Sequence, residues 1–312
     1  MFQNILLATS ATKACDHAAR VAFELAARFQ SHVCIFHVLG VPSRGFSQMV
    51  VDVRTGETVA LDDDYKAWVT EEVETYYENQ IKAHQIKSHN DTDTQVAVGF
   101  PHREILRFAR ENKPDLIVMG GSTDDPDLSG YKKNMAGTTL QRITKSAPCP
   151  VLIVNRPAAS FWGGISNVVF GTDFSKASDV SFQYAKKIAT SIDDGELNMF
   201  HSVDISSAHS GLALSQDEIE DQLRDARTKM RKRYVSQLDG FKNYSIDVWE
   251  GLPYVEIVKY AREKQADLII MSHQAREVEP EKVRLGSNME QVIMRANCPV
   301  ISINRHTSAL NK

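Results

Sequence analysis

The hydrophobic positions of this chain alternate between short apolar runs and longer stretches at helical spacing. The short runs predict strands at residues 5–8, 33–38, 95–98, 116–119 and 151–154. Between the first two runs, one helix face is outlined by Ala18, Val21, Ala22, Leu25, Ala26 and Phe29. Strands that alternate with helices indicate a parallel sheet with right-handed crossovers, so the pattern predicts an α/β domain.

A second copy of this pattern follows the first. The matching segments are NILLAT at 4–9 and NVVFGT at 167–172, GFPHREI at 99–105 and GLPYVEI at 251–257, and DLIVM at 115–119 and DLIIM at 267–271. Because their order is kept, the chain is predicted to be a tandem duplication. The expected domains are 1–156 and 165–307, joined by a linker at 157–164.

The halves differ most in one segment. The first half carries extra residues at 42–64, and the stretch 50–59, with Thr55-Gly56 at its centre, predicts a β-hairpin. A long helix is predicted in each half, along Trp68, Val69, Val73, Tyr76, Tyr77 and His84 in the first and Ile219, Leu223, Ala226, Met230 and Leu238 in the second.

Composition narrows the class of protein. The 312 residues include 36 basic and 40 acidic side chains, a net charge of −4, which excludes a general nucleic-acid-binding surface. The basic run at 227–233 follows acidic residues on the same predicted helix and is interpreted as a solvated face. No apolar run has the length of a membrane span, no secretory signal opens the chain, and four scattered cysteines form no disulfide framework. We therefore expect a soluble, cytoplasmic protein.

The strand ends indicate where a ligand would bind. In a doubly wound sheet, ligands lie beyond the carboxyl ends of the strands, where the strand order reverses. A loop leads from that edge to a helix that opens with Gly137-Thr138 in the first half and Gly286-Ser287 in the second. The free N–H groups of such a helix start suit a phosphate. A capping box at 138–141 and 287–290 explains the same residues without a ligand.

Both halves carry short motifs that resemble those of one family. In the second half they are GTDFS at 171–175, DLIIMSH at 267–273, LGS at 285–287 and ANCPV at 296–300. In the first half they are DLIVMG at 115–120, AGT at 136–138 and APCPV at 147–151. Over nearly its whole length the chain resembles a tandem universal stress protein. The resemblance implies two Rossmann-like or flavodoxin-like α/β domains, each with five parallel strands in the order 3-2-1-4-5. It also implies ATP binding in some members and not in others.

The first half departs from the pattern of the ATP-binding members. That pattern is a glycine, two residues, a glycine, nine residues, and then Gly-Ser or Gly-Thr. Gly120 matches the first glycine, whereas Thr123 stands at the second. The loop is longer than the pattern and carries aspartates at 124, 125 and 127, which would repel a triphosphate unless a metal intervened. Ser10 stands where the family has an acid after the first strand.

The second half departs from the pattern differently. It keeps the acid as Asp173, but Ser272 and Ala275 stand where the two glycines are expected. The loss of backbone access at two glycines should cost more binding free energy than the loss of one carboxylate. The resemblance therefore favours the first half as the nucleotide-binding half, with Mg²⁺.

The candidate nucleotide contacts lie at the strand ends and helix starts. They are Thr9, Val38, Met119, Gly120, Gly121, Gly137, Thr138, Thr139, Asp173, Val203, Met271, Ser272, Gly286, Ser287 and Asn288. Adenine would lie near Val38 or Val203, and the phosphates over the helix starts. We expect the loop at 122–135 to become ordered when a ligand binds.

Three functions are open at this point. The first is a stress-response regulator that binds ATP or another adenine nucleotide. The second is a nucleotide-independent protein-interaction module with degenerate sites. The third is a slow ATPase or phosphotransferase, for which the sequence shows no nucleophile, base and orienting group.

Two features are given structural interpretations. His37 and His201 end the second strand of each half and are interpreted as packing or hydrogen-bonded histidines, since no further ligand lies at metal-binding spacing. The last strands, 151–154 and 300–303, are apolar edges that need cover. We predict that they pair antiparallel as an internal pseudo-dimer. A homodimer and an unidentified protein are the other partners considered, and neither nucleic acid nor a membrane is expected.

Overall fold

The computed structural model describes residues 1–42, 49–84, 86, 91–121, 139–155, 165–205, 215–273, 287–304 and 307. The chain divides into two compact units, Met1–Pro157 and Ala158–Lys312. The predicted linker and the loop at 122–135 lie outside the described residues. The pairing of 151–154 with 300–303 stays a prediction. Among the described helices, none has both the length and the apolar character to cross a membrane.

The first unit contains a parallel sheet flanked by helices. Its strands are β1 (Asn4–Thr9), β2 (His32–Gly40), β3 (Met49–Asp52), β4 (Glu57–Ala60), β5 (Thr92–Gly99), β6 (Leu116–Gly120) and β7 (Val151–Val154). Its helices are α1 (Asp16–Phe29), α2 (Asp63–Ala83), α3 (Pro101–Asn112) and α4 (Thr139–Ser146). The parallel pairing runs β5-β2-β1-β6-β7, which is 3-2-1-4-5 when only these five strands are counted. Strand β6 is central and covered on both faces, which explains its continuous apolar sequence.

The second unit repeats this arrangement. Its strands are β8 (Asn167–Gly171), β9 (Glu196–Val203), β10 (Tyr244–Glu250), β11 (Leu268–Ser272) and β12 (Val300–Ile303). Its helices are α5 (Lys176–Thr190), α6 (Gln216–Arg233), α7 (Pro253–Glu263) and α8 (Ser287–Arg295). The parallel pairing runs β10-β9-β8-β11-β12. The predicted α/β fold of both halves is confirmed.

The predicted hairpin in the first unit is also confirmed. Strands β3 and β4 pair antiparallel, and Gly40 at the end of β2 pairs antiparallel with Val51. Gly56 has a φ of 76°, a left-handed conformation that favours glycine in the turn. The side chains of β3 alternate, because Val50 and Asp52 are buried whereas Val51 is exposed.

The repeated motif Gly-x-Pro-x-x-Glu has a structural explanation. Gly99 and Gly251 have φ values of 153° and 134°. A Cβ at either position would lie within 2.8 Å of the side chain of a glutamate on the following helix, Glu104 or Glu256. The prolines are the first residues of α3 and α7, where helices tolerate proline.

The repeated aspartate before the fourth parallel strand joins the start of the first. One carboxylate oxygen of Asp115 accepts N–H bonds from Gln3 and Asn4, at 2.8 and 3.0 Å. Asp267 does the same in the second unit, where Ser166 and Asn167 each donate at 2.9 Å. The aspartates of the DLIVM and DLIIM repeats therefore connect the start of the fourth parallel strand to the start of the first.

The structure of helix α6 corrects the predicted end of this helix and supports our interpretation of its charged residues. The helix ends at Arg233, so Leu238, which we placed on it, lies beyond the helix although it is buried. Ser215 and Glu218 form a capping box, and basic residues occupy the last turn. The acidic start and basic end suit the helix dipole, as interpreted for the run 227–233.

Candidate functional site

The candidate site lies where the strand order reverses, between β1 and β6 in the first unit and between β8 and β11 in the second. Ala8 pairs with Met119, and Gly171 pairs with Met271. The residues that follow these pairs therefore lie side by side at the carboxyl edge of the sheet. They are Thr9 and Gly120 in the first unit and Thr172 and Ser272 in the second. This edge is where ligands bind in open α/β sheets.

Hydrogen bonds fix the turn after β1. The hydroxyl of Thr9 bonds the Tyr77 hydroxyl and accepts the Ala11 N–H at 2.9 Å. Ala11 has a φ of 52°, which is left-handed. The hydroxyl of Ser10 lies 2.9 Å from Thr12 Oγ1 and 3.1 Å from Cys15 Sγ. Thr9 therefore has a structural role in shaping this turn.

The turn after β8 has the same frame. Thr172 Oγ1 lies 2.8 Å from the Tyr234 hydroxyl and accepts the Phe174 N–H at 2.9 Å. Phe174 has a φ of 60°. Both tyrosines are fully buried, Tyr77 on α2 and Tyr234 directly after the last residue of α6, and they tie the second helix of each unit to the first strand.

The carboxylate after β8 belongs to a chain of hydroxyl groups. Asp173 Oδ1 accepts the Ser175 N–H at 2.9 Å and the Ser178 hydroxyl at 2.5 Å. Ser272 Oγ lies 3.0 Å from Ser178 Oγ. Because the Ser178 proton goes to the carboxylate, Ser272 donates in this second bond.

This network sets the charge of Asp173. Partial burial favours the neutral acid, but the bonds from Ser175 and Ser178 outweigh it and lower the pKa of the Asp173 carboxyl. The second unit therefore presents an ionised carboxylate at its strand edge, where the first unit presents the Ser10 hydroxyl.

The two histidines are hydrogen-bonded, as interpreted from the sequence. His37 Nδ1 lies 3.1 Å from the Thr9 carbonyl oxygen, and His201 Nδ1 lies 2.7 Å from that of Thr172. A carbonyl only accepts, so Nδ1 carries the proton in both rings. Burial lowers the pKa of both imidazoles, which favours the neutral form.

The groups beside these histidines differ between the units. In the second unit, the Phe174 ring lies 4.5 Å from the His201 ring, and Lys229 Nζ lies 4.3 Å from the centre of the Phe174 ring. In the first unit, alanine replaces this phenylalanine, and electrostatic interactions link His37 to Asp52 and Arg54 of the hairpin.

The hairpin holds a buried ion pair. Asp52 is fully buried, accepts from Arg54 Nη2 at 2.6 Å, and accepts from the Tyr65 hydroxyl at 2.8 Å. Burial alone would raise the pKa of Asp52, but the bonds from Arg54 and Tyr65 lower it to about 2. The carboxylate is therefore ionised and fixed inside the first unit.

The candidate base-contacting residues are not equivalent. Since His37 and His201 make the same bond, Val38 corresponds to Ser202 and not to Val203. Both valines are buried near the end of their strands. The two valines therefore do not support an adenine contact at the same position in both units.

The two neighbouring glycines of the first unit differ. Gly120 is absent from the described glycines with positive φ, which are Gly56, Gly99, Gly240 and Gly251. Gly121 donates its N–H to the Val154 carbonyl at 3.1 Å, and a Cβ there would overlap the Asn155 side chain. Gly121 is thus explained by packing, whereas Gly120 leaves the strand edge without a side chain.

The helix starts are described in part. Gly137, Thr138 and Gly286 lie outside the described residues. Thr139 is the first residue of α4, and Ser287 and Asn288 are the first two of α8. The capping boxes that we placed at 138–141 and 287–290 stay predictions.

Sequence reasoning missed the residues that shape the edge through long-range bonds. Ser178 and Tyr234 were not candidates, although each has a counterpart, Cys15 and Tyr77, at the same place in the first unit. Ser178 could have been found from its position relative to Thr172, which matches that of Cys15 relative to Thr9. The tyrosines follow their threonines by 68 and 62 residues, so a fixed spacing does not identify them.

Metal and thiol chemistry have little support in the described residues. No group of three or more His, Cys, Asp or Glu side chains there could hold a metal ion. All four cysteines are free, and burial raises the pKa of Cys149 and Cys298 to about 12. These two thiols are therefore protonated and unreactive near neutral pH.

Comparison with known sequences gives one family. The family model for the universal stress protein family matches residues 1–155 and 164–304. A universal stress protein of Methanocaldococcus jannaschii is 28% identical over 157 residues, which cover 45% of this chain and 96% of that protein. Universal stress protein YxiE of Bacillus subtilis is 29% identical over 154 residues, which cover 49% of this chain and 99% of that protein.

Solved structures resemble the chain over nearly its full length. A universal stress protein from Archaeoglobus fulgidus has a TM-score of 0.66 at 21% identity and covers 97% of this chain and 96% of its own. A functionally unknown protein from Pseudomonas aeruginosa has a TM-score of 0.62 at 16% identity and covers 97% of this chain and 92% of its own. These likenesses show a shared fold.

Proposed function

Because the chain belongs to the universal stress protein family, we propose that it is a stress-response protein whose first unit binds a magnesium-bound adenine nucleotide, such as ATP. The second unit would then keep the fold of the site without binding the phosphates. The proposal rests on the difference between the two strand edges.

The observation that carries the proposal is the residue at the end of the fourth parallel strand. In the second unit this residue is Ser272, whose hydroxyl fills the edge and bonds Ser178. In the first unit it is Gly120, which has no side chain to keep a phosphate from the backbone. Its φ is not left-handed, so the backbone conformation does not require glycine here.

The acid of the ATP-binding pattern is present only in the second unit. Asp173 is ionised at that edge, and the lack of this carboxylate in the first unit should cost less binding free energy than the loss of backbone access at the glycines. The first unit has the neutral Ser10 hydroxyl in place of this carboxylate. Helix α4 begins at Thr139, and the free N–H groups of a helix start favour an anion.

In this proposal, each candidate residue contacts one part of the nucleotide. Gly120 would approach the phosphates, together with Gly137, Thr138 and Thr139 at the start of α4, and Val38 would lie near the base. Mg²⁺ would neutralise part of the phosphate charge when the nucleotide binds. The chain's own residues would orient the nucleotide, and no residue is assigned to its hydrolysis.

The test exchanges the residue that differs between the two edges. Gly120→Ser copies the second unit into the first, and Ser272→Gly is the reverse change. Binding of ATP to the full chain is measured by calorimetry with Mg²⁺ present. We expect Gly120→Ser to weaken binding at least about tenfold, which is about 1.4 kcal/mol. We expect Ser272→Gly to leave the affinity of the first unit unchanged.

Other results would contradict the proposal in different ways. Weaker binding in Ser272→Gly alone would move the site to the second unit. No binding by the unchanged chain would remove the nucleotide and favour the interaction-module alternative. Thermal unfolding of both variants controls for a loss of folded protein.

A further inference from the structure

We propose that the hairpin of the first unit is a docking site for an extended, basic peptide of a partner protein. The peptide would add as a strand to the outer edge of β4 and be held by acidic side chains around it. This inference rests on the hairpin and helix α2 and does not depend on nucleotide binding.

The main-chain edge of β4 is available. Strand β4 pairs with β3 on one side and ends the strand order on the other, so within the described residues no strand covers its outer edge. Its sequence, Glu-Thr-Val-Ala at 57–60, contains neither proline nor lysine, which are common means of blocking an edge. An extended peptide can bond such an edge through its main chain.

Exposed apolar side chains lie on β3, on the turn of the hairpin and on helix α2. Val51 is 37% exposed, Val53 is 42% exposed, and Trp68 near the start of α2 is 44% exposed. The Trp68 ring is held in place, because the Arg54 guanidinium lies 5.2 Å and the Tyr65 ring 5.4 Å from its centre. An ordered, exposed tryptophan is a common anchor in protein interfaces.

The acidic side chains of the hairpin and of α2 favour a positively charged partner. The exposed acidic residues of the hairpin, of the N-cap of α2 and of the first half of this helix are Glu57, Asp62, Asp63, Asp64, Glu71 and Glu72. Lys66 is the exposed basic residue among them, since Arg54 is paired with Asp52. A second copy of the chain would bring the same acidic surface to this edge and be repelled, whereas a basic peptide would be attracted.

Strand β4 is short, and this limits what its main chain can contribute to binding. Four residues offer few main-chain hydrogen bonds, so side chains must supply most of the binding free energy. We therefore expect affinity to depend on the acidic residues and on Trp68, and to fall as salt screens the charges.

The experiment uses the full chain and a blocked heptapeptide of alternating arginine and valine. Binding is followed by anisotropy of a labelled peptide, and the edge by amide hydrogen exchange. We expect binding of the arginine peptide, no binding of the matching glutamate–valine peptide, and slower exchange at residues 57–60. Replacing the central valine of the peptide by proline keeps its charge, and it should remove the slower exchange.

Variants of the chain separate the edge from general charge. Glu57→Lys should weaken binding about tenfold, whereas Glu74→Lys, the same charge change further along α2, should weaken it less than about threefold. Trp68→Ala should also weaken binding. Equal effects of the two charge changes, unchanged exchange at 57–60, or no binding at about 1 mM peptide would overturn the proposal. A concentration-dependent dimer that protects 57–60 without peptide would also overturn it, because a second copy would then occupy the edge.

Discussion

The strand edges of the two units share a frame of hydrogen bonds and differ in the residues at two positions. In each, a threonine at the end of the first strand bonds a buried tyrosine, the N–H two residues later, and a histidine through its carbonyl. Against this constant frame, Ser10 and Gly120 of the first unit stand at the positions of Asp173 and Ser272. The duplication has therefore kept the bonds that shape the edge and changed its charge and the side chain at the end of the fourth strand.

A second difference concerns how each turn is held from the neighbouring helix. In the first unit, the Tyr76 hydroxyl donates to Asp16 at 2.6 Å. In the second, Arg233 donates to Asp179 at 2.7 and 2.6 Å and to the Phe174 carbonyl at 2.6 Å. The second turn carries a bulky left-handed residue, and it has more bonds to hold it.

The largest effect is expected from the hairpin, which has no described counterpart in the second unit. Asp52→Ala would leave Arg54 largely buried without its partner, at a cost of about 3 kcal/mol. Amide exchange at residues 49–60 should then accelerate about a hundredfold. Glu78→Ala breaks an exposed ion pair on α2 and should cost less than about 0.5 kcal/mol. Similar exchange in the two variants would show that the hairpin is not held by its ion pair.

The same ion pair predicts a pH dependence. The folded-state pKa of Asp52 is about 2, below the ordinary value of 3.8. Its contribution is therefore fully present above about pH 4 and is lost as the pH falls toward 2. The difference in exchange between the unchanged chain and Asp52→Asn should shrink over that range, and a constant difference would contradict the assignment.

An intermediate effect should separate the two ways of holding the turn. Arg233→Ala removes several charged bonds at a partly exposed position and should cost about 2 kcal/mol. Tyr76→Phe removes one hydroxyl bond and should cost about 1 kcal/mol. Urea unfolding, with amide exchange resolved for each unit, measures both. The reverse order would mean that the extra bonds of Arg233 do not support the Phe174 turn.

The smallest effect tests the left-handed residues themselves. Ala11→Gly should stabilise the first unit by about 0.5 kcal/mol, because glycine adopts a φ of 52° without strain and little packing is lost. Phe174→Gly relieves the same strain but loses ring contacts with His201 and Tyr234, so it should destabilise. Thermal unfolding of the pair gives the signs, and the same sign in both would contradict this account.

Much of the fold could be read from local patterns. The apolar runs gave β6 and β11, helical spacing gave α1, and the turn at Thr55-Gly56 gave the hairpin, because each depends on neighbouring residues. The end of α6 was misplaced, since the buried Leu238 continues the helical spacing after the helix has ended. The candidate site was predicted only as a set of strand ends, and the helix-start residues Gly137, Thr138 and Gly286 stay predictions.

The sequence by itself determined the duplication, the alternation of strands and helices and the missing residues of each nucleotide motif, because these are properties of order and spacing. Only the tertiary structure decided what the edge residues contact. Tyr77 reaches Thr9 across 68 residues, and Ser272 reaches Ser178 across 94. Such bonds depend on how sheet and helices pack, which no local spacing encodes. The burial of Asp52 is decided in the same way, since its partner Tyr65 lies on a helix that packs against the hairpin.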